Sequence, residues 1–195
     1  MKNELRRSMH QQLKNLPEGV WRPVGRHEQV LPNNTKTLFV YLPFDNEIDP
    51  TPLTELALSQ GIQVGAPRIV EENLIFHQIL SATGPFTSGA YGIREPDANA
   101  EQLFPFYETF KAKDLLPLVV LVPGLAFARD GSRLGRGKGY YDRFLSRLLT
   151  TYADKREEIR LIGVCHDFQI LPSVYTESHD IPVDCLLTSS GVIFY

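Results

Sequence analysis

The chain has 195 residues, 43% of them hydrophobic and 22% charged, with a net charge of −3 and an isoelectric point near 6.0. That length suits one domain with a substantial core, and the acidic balance excludes a broad electrostatic footprint for nucleic acid, so any basic site must be local. No stretch approaches the ~20 apolar residues that span a bilayer, and the polar start MKNELRRSMHQQLK has no apolar segment of signal-peptide type, so a cytoplasmic protein without a membrane partner is expected. Cys165 and Cys185 sit inside apolar runs and read as buried small hydrophobes.

Leu5, Met9, Leu13 and Leu16 recur at helical spacing and predict a helix over residues 2–16. Lys2 and Arg6 share one face of it, a turn apart, and repel unless an anion or solvent intervenes. On this segment alone a solvated basic face is the ordinary reading. Pro17 and Gly19 end the helix, and residues 17–36 read as an irregular connection, with a short turn over residues 26–31 and Trp21 as an anchor. Thr37 to Leu42 is rich in β-formers and predicts a buried strand. Asp49 or Thr51 is the expected cap of a helix through Leu53 to Ser59, stopped by Gly61. Ile62 to Ala66 is the next strand, which makes a parallel βαβ unit. Glu47 lies just past the carboxyl end of the first strand, where ligands sit in open α/β sheets, although on position alone a surface loop glutamate is the ordinary reading.

Leu74 to Leu80 predicts another strand, flanked by the turn-rich stretches VEEN and SATGPFTSGAYGIREP, with His77 structural. Pro96 to Asp114 is poorly patterned; Phe104, Phe106, Tyr107 and Phe110 are expected to pack as a lid or an edge. Leu118 to Val122 is the most apolar run and predicts a central strand. A loop rich in glycine and basic residues follows, and then a helix from Tyr140 to Leu149 buries Phe144, Leu145, Leu148 and Leu149. Ile159 to Cys165 completes a second βαβ unit, and Cys185 to Thr188 and Val192 to Phe194 are closing strands. The alternation predicts an α/β fold with a mostly parallel sheet in a single domain, residues 1–195.

The loop carries the chemistry. Its sequence, PGLAFARDGSRLGRGKGYYDRFL, places Arg129, Arg133, Arg136 and Lys138 among glycines ahead of a helix start, an arrangement suited to phosphate. A solvated surface loop is the bland alternative. The Walker pattern fails because Gly139 follows Lys138 where a hydroxyl should hold magnesium. The dinucleotide fingerprint fails on glycine spacing.

The longer string is more specific. GSRLGRGKGYYDRFL resembles the signature of the 5-formyltetrahydrofolate cyclo-ligase (methenyltetrahydrofolate synthetase) family. The resemblance extends to Lys2-x-x-Leu5-Arg6, YLPFDNEID, VGAPRI, YGIREP and HDIPVDCLLT, in order along nearly the whole chain. It implies a three-layer α/β/α fold like that of sugar-phosphate isomerases and CoA transferases. The activity it implies is ATP- and magnesium-dependent conversion of 5-formyltetrahydrofolate, with or without a polyglutamate tail, to 5,10-methenyltetrahydrofolate. ADP and phosphate are released through an iminium phosphate intermediate, and the enzyme is expected to be a monomer.

Carried over by matching, Arg136 and Lys138 are the expected catalytic groups. ATP falls to Lys2, Arg6, Arg133, Leu134, Gly135, Arg136, Gly137, Lys138, Gly139, Tyr140 and Tyr141. Folate falls to Leu42, Glu47, Arg136 and Tyr140, and magnesium to Asp142 and Asp184. Asp142 also suits a helix start on dipole grounds alone. This chain departs from the family in its short, proline-bearing region 17–36, which bears on how the first helix is placed. A non-catalytic binder would not need Arg136 and Lys138, and an isomerase or CoA-transferase relative would not need the GRGKGYYD string.

Overall fold

A computed structural model describes residues 1–17, 30–104 and 114–194. The placements expected of Trp21, Phe106, Tyr107 and Phe110, and most of the turn expected over residues 26–31, lie outside the described residues; Val30 and Leu31 are buried.

Helix α1 (Lys2–Lys14) opens the chain, followed by β1 (Thr37–Phe39), α2 (Thr51–Ser59), β2 (Gln63–Val70) and β3 (Asn73–Ile79). Short strands β4 (Thr87–Ser88), β5 (Arg94–Glu95) and β6 (Gln102–Phe104) lead to β7 (Leu118–Pro123). Then come β8 (Ala126–Ala128), β9 (Arg133–Leu134), α3 (Tyr140–Thr151), β10 (Ile159–Cys165), β11 (Ile170–Leu171), β12 (Cys185–Thr188) and β13 (Val192–Phe194).

Among the described residues the main sheet has eight strands, in the order β13-β12-β10-β7-β1-β2-β3-β6. The five from β12 to β2 run parallel, and antiparallel strands close both margins. The predicted central strand is central, and its pleat explains its composition. Leu118, Val120 and Val122 enter one core with Phe144, Leu145 and Leu148 of α3. Val119 and Leu121 enter the other with Leu53 and Ala57 of α2. A strand covered on both faces must be apolar at every position, and helices on both faces make the fold a three-layer α/β one. Phe39 and Phe76 stack at 4.3 Å between ring centres, and Phe144 lies 4.5 Å from Phe76, which locks α3 onto the sheet.

Several boundaries differ from expectation. β1 ends at Phe39; Val40 still donates its N–H to the Gly65 carbonyl of β2 at 2.9 Å, and Val40 to Leu42 continue buried beyond the strand. Pro50, rather than Asp49 or Thr51, is the capping residue before α2, and Asp49 accepts the Thr51 N–H at 3.0 Å from just outside. β2 runs on to Val70 because β3 turns back and pairs with its whole length. Phe104 is an edge residue, on β6. The loop after β7 is not bare: β8 and β9 lie within it and join β11 in a second, three-stranded sheet. Met9 and Leu13 of α1 pack on Leu125, Ala126 and Leu134 of this small sheet, so α1 is seated on the loop region itself.

Candidate active site

The carboxyl ends of β1, β2 and β7 open onto a cavity of about 480 Å³ lined also by α1, the loop after β9 and the start of α3. The position is the one physical chemistry favours in parallel sheets, where loops leave the strand ends with free backbone groups. Lys2, Arg6, Leu42, Glu47, Arg133, Leu134, Gly135, Arg136, Gly137, Lys138, Gly139, Tyr140, Tyr141 and Asp142 all line it. Of the residues singled out from sequence for the site, Asp184 is elsewhere, and Arg129 of the loop is exposed and does not line the cavity.

The loop is shaped by its contacts. Gly137 has φ +98 and Gly139 φ +69, a region other residues rarely adopt, and Gly139 immediately precedes α3. A Cβ on Gly137 would come within 3.3 Å of the Arg6 guanidinium. Arg6 Nε donates to the Gly135 carbonyl at 3.1 Å, so the amino-terminal helix is fastened to the loop it overlies. Lys138 Nζ rests 5.4 Å from the centre of the Tyr91 ring, and among the described residues no carboxylate pairs with it.

Among the described residues, three cations of the cavity are paired with four of its carboxylates. Arg133, buried, donates to Asp142 Oδ1 through Nη2. Arg136 donates to Glu47 Oε1 through Nη2 at 2.9 Å and Nε at 3.2 Å. Lys2 Nζ donates to Asp180 Oδ2 at 2.9 Å and lies 3.4 Å from Glu177. Burial pushes the Glu47 carboxyl above the ordinary glutamate range, against the opposing pull of Arg136. Burial also raises Asp180, but the Lys2 ammonium and the Glu177 N–H outweigh it and hold that carboxyl below the usual aspartate range. Burial pushes the Tyr141 phenol far up, so it keeps its proton; its buried hydroxyl has no hydrogen-bond partner among the described residues.

Glu47 is positioned from three sides. Tyr41 Oη donates to the Ile48 carbonyl at 2.5 Å, Asn46 Nδ2 donates to Leu13 C=O of α1 at 2.9 Å, and His166 Nε2–H donates to the Asn46 carbonyl at 2.8 Å. The β1–α2 loop is thereby clamped between the first helix and the end of β10.

The metal expectation is corrected at one residue. Asp184 sits just before β12, beside Leu161 and toward the amino ends of the parallel strands. Its Oδ2 accepts the Leu161 N–H at 2.7 Å and its Oδ1 accepts from Arg156 at 2.5 Å, so both oxygens are engaged away from the cavity. The carboxylate that lines the cavity from the same HDIPVD segment is Asp180. The next residue, Ile181, donates its N–H to Asp142 Oδ1 at 3.4 Å, which joins this segment to the first turn of α3. Sequence reasoning could have found this. A residue immediately before a parallel strand lies at the strand's amino end, opposite the ligand side. Asp142 and Asp180 supply hard oxygen donors, and magnesium commonly takes only one or two protein carboxylates and completes its shell with phosphate and water. No cluster of three or more His, Cys, Asp or Glu suited to a metal occurs among the described residues.

The model of the 5-formyltetrahydrofolate cyclo-ligase family matches residues 1–189. The chain belongs to this family. A cyclo-ligase of Saccharomyces cerevisiae is 32% identical over 63% of this chain, a match that spans about half (54%) of the yeast protein. A cyclo-ligase of Mycolicibacterium smegmatis is 28% identical over 96% of this chain and 93% of its own. The NMR structure of Aquifex aeolicus 5,10-methenyltetrahydrofolate synthetase superposes with a TM-score of 0.73 at 30% identity, covering 99% of this chain and 92% of that one. The cyclo-ligase fold thus places the family's loop string on the cavity through the strand–loop–helix passage from β7 to α3.

Proposed function

We propose that this cavity converts 5-formyltetrahydrofolate to 5,10-methenyltetrahydrofolate at the expense of ATP. Family membership carries cyclo-ligase activity, with ATP as co-substrate. The observation that carries the reading at residue level is the meeting of the GRGKGYYD loop, the amino-terminal cations and Glu47 around one cavity at the strand carboxyl ends.

A formamide oxygen is a poor leaving group. Transfer of the terminal phosphoryl of ATP to that oxygen gives an iminium phosphate and ADP; nitrogen-10 then attacks the carbon, loses its proton, and phosphate departs with the former formyl oxygen. The protein's part is positioning and charge stabilisation. Lys138, with no carboxylate paired to it among the described residues, supplies a point charge to the transferring phosphoryl, and Arg136 supplies a planar, two-pronged donor. Lys2, Arg6, Arg133 and the amides of Gly135 to Gly139 hold the ATP phosphates. Glu47 accepts hydrogen bonds from the pterin's N–H edge, with Leu42 and Tyr140 against its ring. The Tyr141 hydroxyl, without a hydrogen-bond partner among the described residues, is a ready donor for an acceptor on either substrate. Magnesium held by Asp142 and Asp180 would neutralise charge building on the phosphates. Lys2 and Arg133, the present partners of those carboxylates, would then turn to the nucleotide.

In this reading residues 1–195 act as one domain, as a monomer in the cytoplasm, on mono- or polyglutamyl substrate. Among the described residues no helix is long and apolar enough to cross a membrane. The test is absorbance of methenyltetrahydrofolate formed from 5-formyltetrahydrofolate. Product dependent on both ATP and magnesium is expected, and its absence with folded protein would overturn the reading.

A further inference from the structure

The β1–α2 loop does more than present Glu47. It holds Arg136 with four contacts from three residues: two hydrogen bonds to Glu47 Oε1, one from Nη1 to Asp45 Oδ2 at 3.3 Å, and the Phe44 ring 5.2 Å from the guanidinium carbon. Glu47 Oε2 is occupied too, by the Phe44 N–H at 3.1 Å. Asp45 itself has φ +54, a left-handed turn residue that aspartate tolerates better than most. Asp45 is not among the residues that line the cavity; its ion pair is with Arg136.

We propose that Asp45 is a positioning residue that, together with Glu47, holsters Arg136 on the folate side of the cavity, and that this shared ion pair couples the binding of the two substrates. The inference rests on the cyclo-ligase reading above. A phosphate that recruits Arg136 must draw it off Glu47. A pterin edge that recruits Glu47 must displace Arg136. Either ligand alone therefore breaks the pair, whereas together they break it only once. The second ligand binds a site already opened, and linkage makes the effect equal in both directions. Asp45 sets how firmly the resting state is held, since it adds a second carboxylate to Arg136 without facing either ligand.

The test is titration calorimetry with 5-formyltetrahydrofolate and the magnesium complex of a non-hydrolysable ATP analogue, each alone and each with the other saturating. In the wild-type protein each ligand should tighten the other about five- to tenfold, the lower part of the usual coupling range because the pair is partly exposed. Asp45→Asn keeps a residue that accepts the left-handed turn. It should bind the analogue alone roughly two- to fivefold more tightly, as loss of a partly exposed ion pair allows. Its coupling should shrink by the same factor, so that its affinity for the analogue with folate saturating, and its KM for ATP under the same condition, stay near wild type. Should that variant not fold, Asp45→Gly, which is unstrained at this φ, makes the same comparison. No coupling in the wild type, or unchanged affinity and coupling in the folded Asp45 variant, would overturn the proposal and leave the cyclo-ligase reading standing. Failure of folded wild-type protein to bind either ligand would overturn both.

Discussion

Asp180 and Asp184 stand four residues apart in one segment and serve opposite margins of the sheet. At the ligand margin, Asp180 and its partner Lys2 are only 14% and 18% exposed and line the cavity. At the other, Asp184 and Arg156 are 37% and 41% exposed, and Asp184 also fastens the Leu161 N–H of β10. The chemistry of the two pairs is alike; their surroundings are not. A pair inside a cavity is exchangeable, because an arriving cation or phosphate can take over either member. A solvated pair that is also tied to a strand backbone only stitches the fold. The same contrast separates Arg136–Glu47 from Lys36–Asp114, a pair exposed at 52% and 79%.

The sharpest break would come at Lys138. Lys138→Ala should lower turnover by about a hundredfold or more, the scale of losing one transition-state charge contact, while the thermal midpoint stays near wild type. The next comparison sets the two aspartates side by side. Asp180→Asn should reduce kcat/KM by roughly a hundredfold and raise the magnesium concentration needed for half-maximal rate. Asp184→Asn should leave kcat/KM within about twofold and lower stability by about 1–2 kcal/mol, read by urea unfolding. Equal catalytic losses in the two variants would erase the distinction.

Arg133 tests the cavity margin from the side of stability. Arg133→Met strands the Asp142 carboxylate and should cost about 3 kcal/mol, as when one partner of a buried pair is removed; magnesium binding at Asp142 should recover part of it. The smallest effect concerns pH. Burial depresses the pKa of His77 below the ordinary histidine value, despite its hydrogen bond to the Ala100 carbonyl. The folded state then binds fewer protons than the unfolded chain, so stability present above about pH 6.5 is lost as pH falls below that unfolded value. His77→Gln should flatten the fall in thermal midpoint between about pH 7.5 and 5.5. Glu47, whose pKa is raised, has the opposite sign and is common to both proteins, so the difference isolates His77.

The elements legible in the sequence were those that carry their own pattern. LVVLV had to be a central strand because no face of it tolerates water, and α1 and α3 showed their helical spacing. The closing strands were bounded by turn residues and fell where expected. β8, β9 and β11 were not legible: each has two or three residues, and what makes it a strand is the return of a distant segment beside it. The loop string located the cavity, but not its internal pairing. Arg136 and Glu47 are 89 positions apart, and only the fold makes them neighbours. HDIPVD offered two aspartates of the same chemistry, and the register of β12 against β10 chose between them.

The central claim is that the cavity brings the phosphoryl group of ATP onto the formyl oxygen of the folate. It is tested most directly by following that oxygen. With 5-formyltetrahydrofolate labelled with oxygen-18 in the formyl group, mass spectrometry of the released phosphate should find one labelled oxygen per methenyltetrahydrofolate formed. Turnover that leaves the phosphate unlabelled would contradict phosphoryl transfer to the formyl oxygen, and with it the roles given to Arg136 and Lys138.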